Sequence, residues 1–414
     1  MGNQQFSYII LLSKMINNNT TIIENEQNIY IVSLSKMITN DTTILKNRYI
    51  NMLSSKYNFY TVNPAVFIYN ANQILINKSI IKKNYNIITY NDFHTSNMGS
   101  FLKDNKIIWG LNDFDSLSYN NINIDFMRFG ASYSILNNYY TKSNDIYELY
   151  KSFIIEYIVE LEDINNKNKL ANLYITLDKN ITDEFTFLNK IKNNILSNNN
   201  FINKYIKNNK FIISDEIINI NKEIYNNIEK LLIGKYNNIK IYDIIQKLNS
   251  GDSTYGSIRY YVFAKYNNDK IIIEIKQIIP IYDKNKQLIV LDGKTIYDYT
   301  KIINGYSWSN IYNYLKIDNL NYIIRLKDYA SIKIIETEFN KFDQKYYKQY
   351  AQISGKLLAR FHYNSLVNKK ININDYIKYL NEDKENIINN IIDISISYVD
   401  INKKLYEYYK KTLL

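Results

Sequence analysis

Side chains that could do chemistry are concentrated in one stretch of the sequence, NDFHTSNMGSFLKDNKIIWGLNDFD, which runs from Asn91 to Asp115. It holds four Asp, one of the two His and two of the ten Gly, whereas most of the chain is a mixture of Ile, Asn, Lys and Tyr. Carboxylate and amide oxygens bind Mg²⁺, and a carboxylate beside a hydroxyl group can accept its proton. The stretch is therefore the first candidate for a catalytic or metal site.

Asp92 and Asn97 form the first motif, because they lie five positions apart after YNIITY, a predicted strand. A segment of that length reaches at most about 17 Å, so both side chains can face one group of phosphates. The D-x-x-x-x-N spacing is that of the kinase catalytic loop, in which the Asp accepts the substrate hydroxyl proton and the Asn binds magnesium. The alternative for an isolated match is an ordinary Asx turn.

Asp113 and Asp115 form the second motif, LNDFD, directly after the predicted strand KIIWGL. An Asp at a strand end, followed by Phe, is how kinase-like enzymes present a further magnesium ligand. The fifteen residues between Asn97 and Asp113 suit two short strands and a turn. The alternative is a pair of loop carboxylates that only solubilise a turn.

A third motif begins with the glycines of GDSTYGS, Gly251 and Gly256, which let the backbone approach phosphate groups closely. A predicted β-hairpin follows, turning at residues 267–269, and its second strand carries Lys276 within an apolar run. Loop, hairpin and strand-borne Lys predict a nucleotide-binding β lobe, in which Asp298 on the next predicted helix could pair with Lys276. A structural Lys on an edge strand is the alternative.

The remaining pattern predicts helices that must position these motifs. Apolar residues recur at helical spacing within a block over 145–197. Ser214 or Asp215 could cap a helix that ends at Gly234. Further predicted helices cover 42–60, 294–303, 343–362 and the C-terminal region, and one more strand covers 321–327.

Composition limits the class of protein. With 414 residues, 46% of them hydrophobic and 22% charged, the chain is typical of folded globular proteins, and no apolar run approaches the roughly 18 residues that span a bilayer. The absence of Cys excludes disulfides, thiolate metal sites and a Cys nucleophile, and it favours a reducing cytoplasm. The net charge of +11 would suit nucleic acid or phosphate-bearing substrates, but the dispersed Lys residues favour a solvated basic surface over a nucleic-acid site.

The order of the motifs is the reverse of that in ordinary kinases. There the glycine loop and the Lys precede the catalytic loop, whereas here Lys276 lies well after Asp113. Either the likeness is chance or the chain is circularly permuted.

Longer matches favour the permuted interpretation. Gapless runs resemble the family known as domain of unknown function 2252, whose motifs in turn resemble those of aminoglycoside-phosphotransferase-type kinases. The family pattern G-D-x-H-x-x-N-F-G resembles NDFHTSNMG, N-D-F-D-E resembles NDFDS, W-D-x-x-R-L-A-x-S resembles IDFMRFGAS, G-x-G-S-V-G-T-R-x-Y resembles GDSTYGSIRYYV, L-Q-V-K-E resembles IEIKQ and W-x-L-A-R-x-H-A resembles GKLLARFHY. Both His of the chain, His94 and His362, fall on motif positions. The resemblance covers roughly residues 45–410, and the family shares the reversed order.

Several positions depart from the family pattern. The Arg of the phosphate loop comes one place late at Arg259, and an Arg expected near the start is replaced around Thr61. Asn91 stands where the family has Gly before the catalytic Asp, Gly110 replaces an acid before NDFD, and Ser253 replaces the middle Gly of the phosphate loop. The loss of a carboxylate at Gly110 could affect metal binding. A catalytically inactive, kinase-like scaffold therefore stays open as an alternative.

The resemblance implies an α+β, protein-kinase-like fold with two lobes in circularly permuted order, one mostly helical and the other smaller and antiparallel β. The implied boundaries are an N-terminal helical segment (1–84), a helical lobe with the catalytic loop and metal site (85–235), a nucleotide-binding β lobe (236–330) and C-terminal helices that complete the helical lobe (331–414).

The implied function is Mg²⁺- and ATP-dependent transfer of a phosphoryl group to an unknown small-molecule or protein acceptor. The implied roles are catalysis for Asp92 and His94, metal binding for Asn97, Asp113 and Asp115, and nucleotide binding for Gly251, Ser253, Gly256, Lys276 and Asp298. Asp125 and Arg128 would form a buried pair that braces the helix beneath the catalytic loop. Nucleotidyl transfer also stays open, as does a basic, Tyr-rich protein that binds nucleic acid.

Overall fold

The structure is a computed structural model that describes most of the chain from residue 31 onward. The described residues are 31, 35–36, 38–83, 85–136, 143–196, 201–249, 251, 255–282 and 288–413.

Helices occur in every part of the described chain. In chain order they are α1 (Thr42–Met52), α2 (Lys56–Thr61), α3 (Pro64–Asn77), α4 (Asn123–Leu136), α5 (Ser143–Lys167), α6 (Lys179–Glu184), α7 (Thr186–Leu196), α8 (Phe201–Tyr205), α9 (Lys222–Lys235), α10 (Gly293–Ile302), α11 (Glu336–Phe339), α12 (Gln344–Asn368), α13 (Ile373–Glu382) and α14 (Lys384–Leu413).

The strands form small sheets and one large sheet. They are β1 (Asn86–Thr89), β2 (Met98–Lys103), β3 (Lys106–Leu111), β4 (Ser118–Asn121), β5 (Tyr174–Thr176), β6 (Ile206–Lys207), β7 (Lys210–Phe211), β8 (Ile217–Asn219), β9 (Ile239–Lys247), β10 (Arg259–Tyr266), β11 (Asp269–Gln277), β12 (Ile281–Tyr282), β13 (Leu288–Ile289), β14 (Asn313–Ile317) and β15 (Leu320–Lys327). The six-stranded sheet has the order β14-β15-β11-β10-β9-β8, and β2-β3-β5 form a three-stranded sheet. The strand pairs in the described part of the chain are antiparallel, so the chain has a mixed α+β architecture.

The largest hydrophobic core lies where α4, α5, α12 and α14 pack together beside strands β1 to β5. Gly355 of α12 makes the close approach of α12 to α5 possible, because a Cβ atom at this position would collide with the carbonyl oxygen of Phe153. α12 itself begins at a side-chain cap, in which Asp343 accepts a hydrogen bond from the backbone N–H of Tyr346 at 2.8 Å. These helices form the support on which β1 and its following loop rest.

A second core covers one face of the six-stranded sheet. Val262, Ile273, Ile275 and Ile324 point to that face and pack against α9. Because side chains alternate along a strand, the neighbouring positions of β10, β11 and β15 face the opposite way. Part of that opposite face is covered by β7 and α8, and the part that carries Arg259, Lys276 and Arg325 faces the loops after β1 and β3.

Several predicted elements are confirmed. KIIWGL is strand β3, and β2, a turn and β3 fill the interval between Asn97 and Asp113. The β10–β11 hairpin turns through Asn267 and Asn268, whose φ angles of 47° and 76° lie in the left-handed region that Asn tolerates. The predicted helix 294–303 and strand 321–327 correspond to α10 and β15.

Other predicted elements have different bounds. The predicted helix 42–60 is split into α1 and α2, because Ser55 caps a new helix by accepting from the backbone N–H of Asn58 at 2.9 Å. The predicted helix from Ser214 to Gly234 is wrong at its start: residues 217–219 pair with β9 as a strand, and Asn221 caps α9. The predicted helical block 145–197 is interrupted by β5, which pairs with β3.

Among the described residues, no helix combines the length and the apolarity that crossing a bilayer requires.

The glycine between α5 and α12 gives a test of this packing. We expect Gly355→Ala to lower the free energy of unfolding by about 1–3 kcal/mol, since the added methyl group must push the two helices apart. Gly234→Ala is the matched control, because nothing lies within 4 Å of its added Cβ and Ala favours the helix by about 0.5–1 kcal/mol. Urea unfolding of both variants checks this; equal stability of the two would contradict the close approach.

Candidate functional site

The loop after β1 carries Asp92 and is fixed by Asp125, a fully buried residue of α4. The two carboxylate oxygens of Asp125 accept hydrogen bonds from the backbone N–H groups of Tyr90 (2.8 Å) and Asn91 (2.7 Å). Asn91 has a φ of 60°, a left-handed conformation open to Gly and Asn, and it turns the chain sharply after the strand. The loop is thereby held by two backbone contacts immediately before Asp92.

His362 of α12 supports Asp125 from the other side. Its Nε2 lies 3.1 Å from Asp125, and its Nδ1 lies 2.8 Å from the hydroxyl of Tyr157. Burial lowers the pKa of His362, so the neutral ring donates from Nε2 to the carboxylate and accepts from Tyr157. The second His of the chain therefore has a structural role beneath the loop.

Asp92 is held by a buried cation and an amide. Arg128, whose side chain has no exposed surface, donates to Oδ1 from Nη2 at 2.7 Å and from Nε at 3.1 Å. Asn97 donates its Nδ2 to Oδ2 at 2.9 Å. Burial raises the pKa of Asp92 to about 6, although the guanidinium of Arg128 opposes the shift. The Asp92 carboxylate is therefore ionised at neutral pH and basic enough to accept a proton.

His94 orders the same loop. Its Nδ1 accepts a hydrogen bond from the backbone N–H of Ser96 at 3.2 Å, and its Nε2 lies 3.7 Å from Asp92 Oδ2. Burial, followed by the nearby charge of Arg128, holds the pKa of His94 well below its usual value. The imidazole is neutral at physiological pH and keeps its proton on Nε2.

Asp113 and Asp115 meet Lys276 in a close ionic contact. Lys276 Nζ lies 2.7 and 2.8 Å from the two oxygens of Asp113 and 2.8 Å from Asp115 Oδ2. The Lys276 side chain is only 4% exposed. Asp113 has a φ of 71°, and its N–H donates to the hydroxyl of Tyr306 at 3.2 Å. Two of the three predicted metal-binding residues, Asp113 and Asp115, thus contact the predicted Lys.

The charged groups in this cluster shift one another's pKa values. Burial alone would raise the pKa of Asp113, but Lys276 and Arg325 outweigh it and hold that pKa well below the usual range. Burial and the neighbouring Asp113 raise the pKa of Asp115. Burial would lower the pKa of Lys276, yet the two carboxylates raise it, so the ammonium stays charged.

Glu274 joins two further cations to the cluster. It is buried between Arg259, whose Nη1 donates to Oε1 at 2.8 Å, and Arg325, whose Nε donates to Oε2. Arg325 Nη1 also reaches Asp113 Oδ1 at 3.4 Å. Burial opposes ionisation of Glu274, but the two guanidinium groups lower its pKa far below the usual value. The sheet thus presents alternating charges to the loop that follows β3.

Most of these groups, although not Asp115 or Glu274, line one cleft of about 320 Å³ between the six-stranded sheet, the β1 and β3 loops and α2. Its walls combine the candidate residues with further cations and aromatic side chains, among them Asp92, His94, Asn97, Asp113, Gly251, Lys276, Arg259, Arg325, Lys327, Tyr306 and Trp308. The cleft therefore unites the predicted catalytic loop, a predicted metal-binding Asp and the predicted Lys.

The remaining predicted nucleotide-binding residues occupy different places in the structure. Gly251 lines the cleft with a φ of 82°, whereas Gly256 packs against Ile44 of α1, where an added Cβ would lie 2.6 Å from a side-chain atom. Ser253 lies outside the described residues. The predicted pairing of Asp298 with Lys276 is wrong, because Asp298 pairs with Lys294 one helical turn away on the exposed face of α10.

The predicted pair of Asp125 with Arg128 is also wrong. Each residue braces the loop with a different partner: Asp125 takes backbone N–H groups, and Arg128 takes the Asp92 carboxylate. Arg128 also donates to the backbone oxygens of Tyr60 and Thr61, which ties α2 to the site. Their spacing of three within α4 placed both on neighbouring positions, but it did not reveal their partners in other elements.

Gly110 has a structural explanation. It lies in β3 between Gly99 and Tyr174, and an added Cβ would meet the carbonyl oxygen of Leu173 at 2.5 Å and Tyr174 Cβ at 2.8 Å. A side chain at this position would point at β5 and not at the cleft.

Sequence reasoning missed Glu274 and Arg325 as members of the site. Each is a charged residue within an apolar strand, IEIKQ or NYIIRLK, and this is the same signal that singled out Lys276. In the pairing register of the sheet, Arg325 lies opposite Glu274 and Arg259 lies opposite Lys276. The cross-strand register was needed to see that these charges share one face.

The donors fit magnesium better than a metal that needs a closed protein cage. Among the described residues, no group of three or more His, Asp or Glu is arranged to hold a metal ion. Asp113 and Asp115 provide two carboxylates, and Asn97, which uses Nδ2 on Asp92, retains its amide oxygen. Mg²⁺ usually takes one or two carboxylates and completes its shell with water and phosphate oxygens.

Comparison with known proteins places the chain in a family. The profile of the family described as "Uncharacterized protein conserved in bacteria (DUF2252)" matches residues 41–412, which is nearly the whole chain. No curated protein and no solved structure matches the chain.

The arrangement of Glu274 between two arginines gives a test by unfolding. We expect Glu274→Gln to lose about 3 kcal/mol of stability at pH 7, because two buried guanidinium groups lose their shared carboxylate. Since folding lowers the pKa of Glu274, its contribution to stability is complete above the unfolded pKa of about 4.3, declines below that pH and is lost as the pH falls toward the much lower pKa of the folded state. Urea unfolding across that pH range should therefore show wild type and variant converging in acid.

Glu216→Gln is the control for that measurement, since Glu216 makes a surface pair with Lys247 and is 68% exposed. Its loss should stay within about 0.5 kcal/mol. A Glu274→Gln variant as stable as this control would show that the buried array is not formed.

Proposed function

The chain belongs to the DUF2252 family, and from that premise we propose that it is a magnesium- and ATP-dependent phosphotransferase whose acceptor is an unknown small molecule or protein. The observation that carries the proposal is the convergence of Lys276 with Asp113 and Asp115 in a cleft that also holds Asp92 and Asn97. Kinase-type phosphoryl transfer uses this combination of a strand-borne Lys, metal-binding Asp and Asn, and a proton-accepting Asp.

The residues would divide the work as follows. Lys276 would steady the α- and β-phosphates, and Asn97 with Asp113 and Asp115 would hold magnesium. Bound magnesium would neutralise charge on the phosphate oxygens. Asp92 would take the proton of the acceptor hydroxyl while the acceptor oxygen bonds to the γ-phosphorus and the bond to the β-phosphate oxygen breaks, so that ADP leaves.

The proposed fold is a protein-kinase-like one in permuted order. The sequence of elements from β9 to β15 supports it: a strand, a glycine-containing loop, the β10–β11 hairpin with Lys276, the short β12–β13 pair, α10, and two strands leading to the linker 328–335. The elements of the catalytic loop, β1 to α4, come earlier in the chain, and α12 to α14 pack onto α4 and α5. The boundaries at residues 84/85, 235/236 and 330/331 follow from this proposal.

Nucleotide binding gives the first test. We expect Mg²⁺-ATP at about 100 times its dissociation constant to stabilise the protein by about 2.7 kcal/mol, and we expect Lys276→Ala and Asp113→Asn to lose this stabilisation. Lys294→Ala and Asp298→Asn are the matched controls, because they remove the same side-chain types from an exposed pair on α10. Thermal unfolding with and without ligand measures the effect, and an unchanged melting temperature in the wild type would refute the nucleotide site.

Proton transfer gives the second test. Because the pKa of Asp92 is raised to about 6, phosphoryl transfer should fall as the pH drops through about 6, when the base becomes protonated. Asp92→Asn should lower kcat about 10²- to 10⁴-fold with little change in ATP binding.

ATP labelled on the γ- or the α-phosphate, incubated with mixed acceptors, separates phosphoryl from nucleotidyl transfer. If the protein binds ATP but transfers no phosphoryl group, and Asp92→Asn changes nothing, the protein would instead be a catalytically inactive scaffold.

A further inference from the structure

The face of the six-stranded sheet above the cleft is ionic where it meets the β3 loop. Arg259 of β10 pairs in register with Lys276 of β11, and Glu274 of β11 pairs with Arg325 of β15. Arg259, Lys276 and Arg325 line the cleft, and Glu274 is buried between the two arginines. Their strand neighbours Ile275 and Ile324 belong to the apolar core on the opposite face. Three cations therefore stand side by side on three adjacent strands.

Lys276 is paired with Asp113 and Asp115. Glu274, by contrast, carries too little charge to offset both Arg259 and Arg325. Its single charge is shared by Arg259 and Arg325, and Arg325 Nη1 is left to reach Asp113 Oδ1 at 3.4 Å and the Tyr306 hydroxyl at 3.4 Å. The shared carboxylate also fixes the two guanidinium groups in place, so they are preorganised for an anion. Gly251, with its positive φ, lies at the same cleft and allows close approach of the backbone.

The apolar part of the same sheet face is already covered. Tyr261, Phe263 and Ile272 lie at even spacing from Arg259 and Lys276 along β10 and β11, so they share the face of the cations, and they form a core with Phe211 of β7. Tyr205 and Phe201 of α8 pack onto that core. The surface that could hold a flat base between apolar side chains is therefore occupied by the chain itself.

The aromatic side chains within the cleft are engaged with one another. The ring of Trp308 lies 4.9 Å from that of Phe101, 5.0 Å from that of Tyr306 and 5.6 Å from that of Tyr174. Among the described residues, the walls of the cleft are therefore more polar than apolar, and they carry fixed cations.

We propose that the cleft recognises a magnesium-bound triphosphate chain through Lys276, Arg325 and Arg259, and that the base contributes little to binding. This rests on the proposed function for the identity of the site, and it extends the ligand class to nucleoside triphosphates of any base and to inorganic tripolyphosphate. Arg325 is assigned as a phosphate-binding residue, because guanidinium groups bind phosphate oxygens through two parallel hydrogen bonds.

Isothermal titration in the presence of Mg²⁺ tests the ligand class, using ATP, GTP, inorganic tripolyphosphate, AMP and adenosine as separate ligands. We expect ATP, GTP and tripolyphosphate to bind with dissociation constants within about tenfold of one another, a difference of about 1.4 kcal/mol. AMP should bind at least about a hundredfold more weakly than ATP, and adenosine should not bind.

Variants test the assignment of Arg325. Arg325→Gln should weaken binding of all three triphosphates about ten- to a hundredfold, because one charge-assisted contact is lost. Arg325→Lys should restore part of the lost affinity. Arg360→Gln is the matched control: Arg360 is 19% exposed against 16% for Arg325, and its Nε likewise pairs with a glutamate, Glu160, at 2.7 Å, away from the cleft. It should lose stability without losing affinity.

The outcomes separate this inference from the proposed function. ATP binding more than about tenfold tighter than both GTP and tripolyphosphate would overturn the inference and leave the phosphotransferase proposal standing. Equal binding of the three triphosphates without any phosphoryl transfer would support the inference and refute the proposed activity. No binding of any triphosphate would refute both, and an Arg325→Gln variant with unchanged affinity would remove Arg325 from the site.

Discussion

A buried ammonium group joins the six-stranded sheet to the loop that follows β3. Lys276 and Asp113 are 163 positions apart in the chain, yet the Lys276 Nζ lies within 2.8 Å of three carboxylate oxygens. Burying an unpaired ammonium or carboxylate group would cost several kcal/mol of folding free energy, so each group requires the other as its partner. The cleft between the two elements is therefore set by charge pairing, while the separate apolar cores hold each side rigid.

A second buried cation pairs with a carboxylate on the opposite wall of the cleft. Arg128 is buried beneath Asp92 and binds one of its oxygens, which leaves the second oxygen to Asn97 and to the cleft. Its other donors bind the backbone of α2, and its guanidinium lies over the ring of Tyr60 at 4.1 Å. Two buried cations thus position the two acidic motifs, and because both cations remain charged, they favour the ionised form of the carboxylates that they contact.

The sequence predicted the members of this site better than their contacts. Asp92 and Asp113 were located because an acid directly after a strand is aimed by that strand, and Lys276 because a lone cation in an apolar strand needs a partner. The partner itself came from an element far away in the chain, so Asp298, the acid nearest on the next helix, was chosen wrongly. Arg325 gave the same signal as Lys276, but only the register of β15 against β11 shows that it shares the face.

The departures from the family pattern follow from backbone geometry. Asn91 stands in place of Gly at a φ of 60°, a conformation in which Asn is the usual substitute because its short side chain costs little there. Gly110 lacks the family's carboxylate, but a Cβ at that position would run into β5, so a longer side chain would be turned away from the cleft. Both replacements preserve the chain path that carries Asp92 and Asp113. Both positions therefore have a structural explanation, and the catalytic proposal depends on Asp92, Asn97, Asp113 and Lys276.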